Sequence, residues 1–358
     1  MKILYGVVGE GMGHAIRSSV TIDQLLAWGH EVHIVVSGRA FDFLQKRYAG
    51  VHKIWGLTMV MADNELQKRK TALEVLKGAI GGWPENLRQY WKLTESFSPD
   101  CVVSDFETFT ALYGHQHGLP VISVDNMQII RRCKHPREIL QDRQTDFELA
   151  KSVIKFKMPS ADHYIITTFF DAPVRKKRTT LVPPILRRNI LEATPSRGDH
   201  VLVYQTSESF KDLPDVLRRL EVPVHVYGLR RDLTEPVQDG NLLWCPFSEE
   251  GFVADLASCR GVIASAGFTL IGEAFHLGKP YLATPVRGQF EQVMNGRYIE
   301  HLGYGLQDER LDEVSVRAFI QNLDQYAETL TTYPYADNDN SALFAALEEQ
   351  LDRAAARL

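Results

Sequence analysis

The stretch from residue 261 to residue 295, GVIASAGFTLIGEAFHLGKPYLATPVRGQFEQVMN, constrains the fold of this chain more than any other. An apolar run at 261–264 is long enough for a buried strand and too short for a helix. A turn of small residues follows, and a helical pattern over 268–277 ends in the stop signal Gly-Lys-Pro. A second apolar run at 281–284 completes a strand–helix–strand unit, which predicts a parallel sheet.

The turn formed by Ser265, Ala266 and Gly267 is suited to bind a diphosphate. Small residues between a strand and a helix leave the first N–H groups of the helix approachable, and the helix dipole favours an anion there. Farther along the helix, Glu273 can accept hydrogen bonds from a vicinal diol such as a ribose. Such charge-assisted hydrogen bonds are worth roughly 1.5–3 kcal/mol each.

With its order and spacing, this stretch resembles the donor-binding motif of nucleotide-sugar glycosyltransferases with the two-domain GT-B fold. It is most similar to the family 28 transferases that add N-acetylglucosamine in lipid II synthesis, and to their uncharacterised relatives. The resemblance implies that the turn holds the diphosphate and that Glu273 holds the ribose. It also implies that Glu291 and Gln292, with Asn295 three residues on, hold the sugar hydroxyls, and Gln289 in the same polar segment is counted with them. An ordinary α/β unit, which is the alternative, does not predict this second polar cluster.

Composition narrows the class of protein. The chain has 358 residues, which favours two domains, and a net charge of -5, which argues against a general nucleic-acid binder. Its four cysteines are widely spaced and form neither a metal-binding pattern nor a disulfide framework, as is typical of the reducing cytoplasm. The N-terminus has the pattern of a first strand and not of a signal peptide, and no apolar run approaches the length of a membrane span. We therefore expect a cytoplasmic location.

Strands alternate with helices along the chain, which predicts two doubly wound domains. We expect an N-terminal domain at 1–183, a linker at 184–198, a C-terminal domain at 199–340 and a final helix at 341–358. The resemblance implies the GT-B arrangement, in which two Rossmann-like domains face each other across a cleft and the final helix packs back on the N-terminal domain. Predicted strands are 2–8, 31–36, 51–57, 101–104, 121–124, 163–167, 201–204, 224–227, 242–244, 262–264 and 281–283. The main predicted helices of the N-terminal domain are 15–28, 65–97 with a break near 81–84, and 137–157.

A glycine-rich turn, Gly-Glu-Gly-Met-Gly-His at 9–14, follows the first strand. A dinucleotide fingerprint would need Gly where His14 stands and an acidic residue after strand two, where the sequence is Ser-Gly-Arg. Because Arg39 could serve a 2′-phosphate, an NADP-dependent oxidoreductase stays open as an alternative. The turn resembles the glycine-rich loop of the family 28 transferases, which implies that Gly11 and Gly13 lie in the cleft beside the donor.

At the start of the first helix, the helix dipole disfavours a protonated ring on His14 and keeps it in the form a general base needs. The alternative is that His14 only hydrogen-bonds the backbone. Asp105 follows strand four at the same sheet edge, where it could orient His14, hold an acceptor hydroxyl or cap the next helix.

Two further residues are candidates for donor binding. Thr206, followed by Ser207, lies where the family 28 transferases carry a second glycine-rich loop, and its hydroxyl could reach a phosphate although the glycines are absent. Phe247 lies where related enzymes bind the base, so it either packs on a uracil edge or belongs to the core.

The resemblance therefore implies a glycosyltransferase of the cell-envelope type. It would move a sugar from a nucleotide diphosphate donor to a hydroxyl acceptor, and a UDP-sugar is the donor that we favour. We expect inversion at the anomeric carbon and neither a metal nor another cofactor. The acceptor could be a glycan, a lipid-linked molecule or a small molecule. Alternatives are a nucleotide-sugar 2-epimerase of the same fold and a nucleotide-sugar-binding protein without turnover. The basic residues at 68–70, among apolar ones, could place the N-terminal domain against the inner face of an anionic membrane, and their alternative is a solvated face.

Overall fold

The computed structural model describes residues 1–9, 11–56, 61–62, 65–66, 83–206 and 212–358. In the described part of the chain, no helix is both long enough and apolar enough to cross a membrane.

The N-terminal domain is built on a parallel sheet of seven strands in the order β3-β2-β1-β6-β7-β8-β9, and β4 and β5 form a separate antiparallel pair. The strands are Lys2–Val7 (β1), Glu31–Val36 (β2), Val51–Lys53 (β3), Met61–Ala62 (β4), Glu65–Leu66 (β5), Cys101–Asp105 (β6), Val121–Asp125 (β7), His163–Thr167 (β8) and Thr179–Val182 (β9). The helices are Met12–Ala27 (α1), Ala40–Leu44 (α2), Trp83–Ser96 (α3), Thr108–Gln116 (α4), Ile129–Arg132 (α5), Arg137–Leu140 (α6) and Gln144–Lys157 (α7).

The C-terminal domain follows a connection that carries one short helix, Arg188–Leu191 (α8). Its strands are Val201–Tyr204 (β10), Val224–Tyr227 (β11), Val237–Asp239 (β12), Leu242–Cys245 (β13), Val262–Ser265 (β14), Tyr281–Thr284 (β15) and Gly305–Gln307 (β16). Its helices are Leu213–Arg218 (α9), Glu249–Ser258 (α10), Phe268–His276 (α11), Phe290–His301 (α12), Glu313–Gln321 (α13), Leu323–Leu330 (α14) and Ser341–Ala355 (α15). The strand order is β12-β13-β11-β10-β14-β15-β16, and only the β12–β13 pair is antiparallel. The predicted α/β class with two doubly wound sheets is confirmed.

Three local predictions are wrong. Glu65–Leu66 is a strand, so the helix predicted from residue 65 does not begin there; Trp83–Ser96 is helical as predicted, and residues 67–82 lie outside the described residues. The helix predicted over 137–157 is broken into α6, a 3₁₀ turn at Gln141–Arg143 and α7, because Gln141 has a φ of 21°. Strands β9, β12 and β16 are missed, since runs of three or four residues carry too little pattern to predict without their sheet neighbours.

The register of the first sheet brings polar residues together at its carboxyl edge. Val7, the last residue of β1, pairs with Asp105, the last residue of β6. The neighbouring strand β7 ends at Asp125. Because α1 starts directly beyond β1, its first residues stand over this edge.

The two domains are joined by two connections, which are fastened to each other. The side chain of Asn340, just before α15, accepts a hydrogen bond from the N–H of Leu186 (2.9 Å) and donates one to the Leu186 carbonyl (2.7 Å). Asn338 donates to the carbonyl of Pro184 (2.7 Å). Asn340 has a φ of 70°, a conformation that Asn tolerates better than most residues.

The final helix α15 packs on the N-terminal domain. Leu343, Leu347 and Leu351 are buried in a cluster with Ile3 and Tyr5 of β1. The helix therefore closes one face of the first sheet although it lies at the end of the chain.

Replacing Leu347 by alanine should destabilise the N-terminal domain by about 2–5 kcal/mol, because it removes a fully buried side chain and leaves a cavity. Leu358→Ala is the matched control, since Leu358 follows the same helix and is 71% exposed. Thermal unfolding of both variants measures the effect. Equal melting temperatures would show that α15 does not stabilise the domain.

Candidate functional site

A cleft of about 1360 Å³ lies between the two sheets and is lined by residues of both domains. Most of the predicted site residues line it: Gly11, Gly13, His14, Thr206, Phe247, Ser265, Gly267, Glu273, Gln289, Glu291 and Gln292. Asp105 and Ala266 are not part of the lining but lie directly behind it, both almost fully buried. The structure therefore brings the predicted residues of both domains to one cleft, and their roles stay predictions.

Arg17 joins His14 and Asp105 into one cluster. Nδ1 of His14 lies 2.9 Å from Oδ1 of Asp105. Arg17, one turn after His14 on α1, donates from Nε to Oδ2 of Asp105 (2.9 Å) and from Nη2 to Oδ1 (2.5 Å). Ser18 also donates to Oδ2 (2.9 Å). The Asp105 carboxylate is therefore held by both oxygens, and it cannot act as the cap of α4, a place taken by Glu107.

The electrostatics of this cluster favour an ionised Asp105. Burial alone would raise the pKa of that carboxyl, but Arg17 and His14 outweigh it and hold the pKa of Asp105 well below its usual range. A proton on Nδ1 of His14 would point to Asp105 and leave Nε2 as the acceptor, which is the tautomer that a general base requires. Arg17 was missed by the sequence reasoning because an arginine inside a helix carries no signal by itself.

A series of hydrogen bonds between polar side chains connects this cluster to the other domain across the cleft. Nη1 of Arg17 donates to Oδ1 of Asn126 (2.6 Å), and Nδ2 of Asn126 donates to Oε1 of Glu291 (2.8 Å) on α12. Asn295 also donates to Oε1 of Glu291 (2.6 Å) and to the carbonyl of Ala266 (3.0 Å). The predicted sugar-binding carboxylate is therefore connected to the His14 cluster and to the small-residue turn.

Two other carboxyls, one in this series of hydrogen bonds and one beside it, have raised pKa values. Burial raises the pKa of Glu291 to about 7, although Asn295, Arg17 and Asn126 partly oppose it. Burial, with the nearby Asp105 charge, also raises the pKa of Asp125 to about 6. Perturbed carboxyls in a cleft are typical of functional sites.

The predicted diphosphate turn has the expected form. Gly267 precedes α11 with an extended backbone, and no side chain of the described residues caps the helix. Its first N–H groups are therefore available to a ligand. Thr269 of α11 donates to the carbonyl of Gly13 (3.2 Å), and a Cβ on Gly13 would lie 2.9 Å from Oγ1 of Thr269. Glycine at this position lets the first loop approach the start of α11 closely.

Glu273 is paired with an arginine that the sequence reasoning placed in the linker. Nε and Nη2 of Arg187 donate to Oε1 (2.8 Å) and Oε2 (2.9 Å) of Glu273, and Nη1 donates to Glu249 (3.1 Å). Burial raises the pKa of Glu273, and Arg187 partly opposes that rise. A carboxylate oxygen has a second lone pair, so Glu273 can still accept from a ligand hydroxyl while it is paired.

Gln292 shapes the loop before α12. Its Oε1 accepts from the N–H of Val286 (3.0 Å), and its Nε2 donates to Oε1 of Gln289 (2.7 Å). These contacts hold the polar segment at the edge of the cleft, so Gln292 supports the loop as well as lining the site.

The remaining candidates differ in position. Phe247 is 79% exposed, so the alternative that places it in the core is wrong. Thr206 is exposed at the end of β10, with its carbonyl accepting from Arg231 (3.1 Å), whereas Ser207 lies outside the described residues. The basic residues at 68–70 also lie outside them.

Away from the cleft, one group among the described residues could offer three ligand atoms to a metal: His200, His225 and Asp255, with these atoms within 4.8 Å of one another. The two imidazole rings stack at 4.0 Å with an angle of 15° between their planes. Parallel rings do not direct their nitrogens to one point, and none of the three residues lines the cleft.

The raised pKa of Glu291 predicts a pH-dependent stability. An unfolded Glu titrates near pH 4.3, and Glu291 in the folded protein has a pKa of about 7. The folded state therefore holds an extra proton between these values, and the stability that it confers is lost as pH rises from about 4.5 to about 7. Glu291→Gln keeps the acceptor for both amides and cannot ionise.

Relative to Glu291→Gln, the wild-type protein should therefore lose melting temperature between pH 5 and pH 8. The exposed Glu348 on α15 gives the control, Glu348→Gln. A Glu291→Gln difference that is the same at both pH values would show that the carboxyl is ionised across this range.

Comparison with known proteins shows the family to which the chain belongs. The family model "Glycosyl transferase family 1" matches residues 1–324. Uncharacterised glycosyltransferases of Methanosarcina mazei and Methanosarcina acetivorans are each 26% identical, over 344 and 346 residues, and the matches cover 85% of each chain.

Solved structures show the same fold. The glycosyltransferase of kitacinnamycin has a TM-score of 0.67 at 17% identity, with 99% of this chain and 98% of that chain covered. A UDP-glucosyltransferase from Polygonum tinctorium has a TM-score of 0.66 at 15% identity, with the same coverage. The likeness to family 28 in particular stays a prediction. Since the family model covers nearly the whole chain, the protein belongs to glycosyl transferase family 1 and has the GT-B fold.

Proposed function

We propose that the protein transfers a sugar from a nucleotide diphosphate donor, a UDP-sugar, to a hydroxyl of an acceptor. The observation that carries the proposal is the contact between the His14 loop and the start of α11. The Gly13 carbonyl bonds to Thr269, the second residue of α11, and His14 follows Gly13. A base on one domain therefore stands beside the helix end that is suited to a diphosphate on the other.

This geometry supports a single displacement. Nε2 of His14 takes the proton of the acceptor hydroxyl as the acceptor oxygen bonds to the anomeric carbon. The bond from that carbon to the diphosphate oxygen breaks, and the departing diphosphate takes the electron pair. A single displacement inverts the anomeric centre. The free N–H groups and the dipole at the start of α11 stabilise the diphosphate charge, which is the role that a metal would otherwise have.

The choice of UDP has support from two proteins of the same fold. One is a UDP-glucosyltransferase, and the structure of another was solved in complex with UDP. Phe247, exposed at the cleft, offers a ring for a uracil to pack on. Glu273 would hold the ribose from its position inside α11.

One wall of the cleft, on the N-terminal domain, carries exposed apolar side chains. Leu149, Val153 and Phe156 of α7 line it and are 52%, 40% and 74% exposed, and their spacing places them along one side of the helix. Ile130 and Met12 line the same cleft, as does His14. Exposed apolar side chains in a binding cleft favour an apolar ligand surface. We therefore propose an acceptor whose hydroxyl is attached to an apolar body, a lipid-linked or small molecule in preference to a simple glycan.

Glu273→Ala should weaken binding of UDP and of UDP-sugars by about 1.5–3 kcal/mol, the scale of a lost charge-assisted hydrogen bond. Arg187 keeps Glu249 as a partner, and the melting temperature of the unliganded variant checks that the fold persists. Calorimetry measures the loss of UDP affinity in Glu273→Ala. A thermal-shift panel of UDP-, GDP- and dTDP-sugars, with and without EDTA, identifies the donor.

Glu250→Ala is the control, since Glu250 is exposed nearby on α10 and does not line the cleft. Unchanged UDP affinity would remove Glu273 from the ribose, and binding or turnover that EDTA abolishes would contradict the metal-free mechanism.

His14→Ala should lower turnover by about 10²–10⁴, the usual contribution of a positioned general base. Donor affinity should change little, because the other domain holds the diphosphate. Wild-type activity should fall at acidic pH, since a protonated ring cannot accept the acceptor proton. Release of UDP from the donor that the panel selects gives the pH–rate profile of both proteins. If the acidic limb persists in His14→Ala, or if the variant only raises the donor dissociation constant, His14 is not the base; a donor that binds and is not turned over would favour a binding protein.

A further inference from the structure

The guanidinium of Arg17 lies at the centre of the polar cluster. Arg17 is 3% exposed, and all three of its nitrogens donate: Nε and Nη2 to the two oxygens of Asp105, and Nη1 to Asn126. Nη2 also lies 2.7 Å from Nδ1 of His14. One rigid, planar group thus touches the proposed base, its partner and the residue that reaches the other domain.

The contact between Arg17 and His14 limits where the protons of the ring can lie. A guanidinium nitrogen can donate and cannot accept. Nδ1 of His14 can therefore accept from Arg17, in which case Nε2 carries the ring proton, or it can donate to Asp105, in which case Nε2 is the acceptor that a base needs. A second proton gives the ring a positive charge directly beside the guanidinium, which the repulsion between like charges disfavours.

We propose that Arg17 is a positioning residue for this reaction, which fixes the Asp105 carboxylate and the His14 ring in place and opposes a second proton on that ring. Asp105 attracts such a proton, and Arg17 cancels part of that attraction. His14 therefore stays competent as a base to lower pH than a His–Asp pair alone would allow. The catalytic meaning of this inference rests on the proposed function, but the protonation effect does not.

The other charged groups around the pair do not replace Arg17. Among the described residues they are Asp105 at the end of β6, Asp125 at the end of β7 and Glu291 on α12, and all three interact electrostatically with Arg17. All are carboxyls, so each would attract a proton to His14 when it is ionised. Burial and, for Asp125, the Asp105 charge raise the pKa of Asp125 to about 6 and burial that of Glu291 to about 7, which weakens their contribution at acidic pH.

Arg17 also sets the orientation of the Asn126 side-chain amide. Because Arg17 can only donate, Oδ1 of the Asn126 amide must face it, and Nδ2 must then face Glu291. The guanidinium thus orients the amide that contacts the predicted sugar-binding carboxylate. A lysine has one ammonium on a flexible stem, so it could keep the positive charge but not the three fixed directions.

The test compares two variants. Arg17→Gln removes the positive charge, and Arg17→Lys keeps the charge but loses the three fixed donor directions of the guanidinium, here called the fork. The titration of the His14 ring is followed by long-range ¹H–¹⁵N NMR of the histidine side chains, and the signal is assigned by its absence in His14→Gln. The midpoint should lie about one pH unit higher in Arg17→Gln than in the wild type, the usual effect of one nearby charge. It should stay close to the wild-type value in Arg17→Lys. A midpoint in Arg17→Gln that is unchanged or lower would overturn the inference.

Turnover of the donor selected by the thermal-shift panel gives a second readout. The acidic limb of the pH–rate profile should move to higher pH in Arg17→Gln. Arg17→Lys should keep the limb in place while kcat falls by up to about 10²-fold, since misplaced catalytic groups cost about this much. If Arg17→Gln does not fold, Arg17→Lys still decides, because a wild-type kcat in that variant would show that the fork positions nothing.

The two readouts separate this inference from the proposed function. If the NMR midpoint moves as expected but the acidic limb survives in His14→Ala, Arg17 controls the protonation of His14 and His14 is not the base. If His14→Ala removes the limb and Arg17→Gln does not shift it, His14 is the base and Arg17 has only a structural role.

Discussion

The buried pair of Asp105 and Arg17 is the interaction on which the cleft depends. Burying a carboxylate at the carboxyl edge of a parallel sheet costs free energy unless its charge is neutralised and its oxygens are hydrogen-bonded. Arg17 meets both requirements, with further support from Ser18. This pair joins α1 to the sheet edge, and in this arrangement His14 lies beside Asp105. The interaction that neutralises the buried charge thus also helps to place the proposed base.

The second domain is held against this arrangement by contacts of several kinds. Tyr298 of α12 stacks on Phe170 with ring centroids 3.5 Å apart, and its hydroxyl lies 2.9 Å from His135. Arg297 donates to the carbonyl of Ile139 (2.9 Å). Helix α12 therefore contacts the N-terminal domain through its middle and contributes Glu291 to the cleft through its first turn. In the arrangement that the structure shows, an aromatic contact at one place and a carboxylate at another set the distance and the rotation between the two halves of the site.

The sequence predicts the architecture well because each strand, helix and turn of the two domains has a recognisable local residue pattern. The alternation of strands and helices, the turn before α11 and the glycine-rich turn before His14 each leave a local signal. The contacts that organise the site leave none. Arg17 and Arg187 gain their meaning from Asp105 and Glu273, which lie 88 and 86 residues away along the chain. A single sequence also cannot show that Glu107 caps α4 and frees Asp105, since both are acidic residues before the same helix. Pairing across the fold, not residue type, decides these roles.

The fastened connections at Asn340 and Leu186 bear on how the cleft can open. A single flexible tether would leave the two domains free to twist, slide and swing. Here the two crossings are bonded to each other by the side chains of Asn340 and Asn338, so we expect them to move together. Two crossings joined in this way would resist torsion more than a single tether, so we expect the domains to move apart by bending. Bending would part the far rim of the cleft first and change the spacing between the crossings least, so ligand would enter through a wedge and not through a parallel gap.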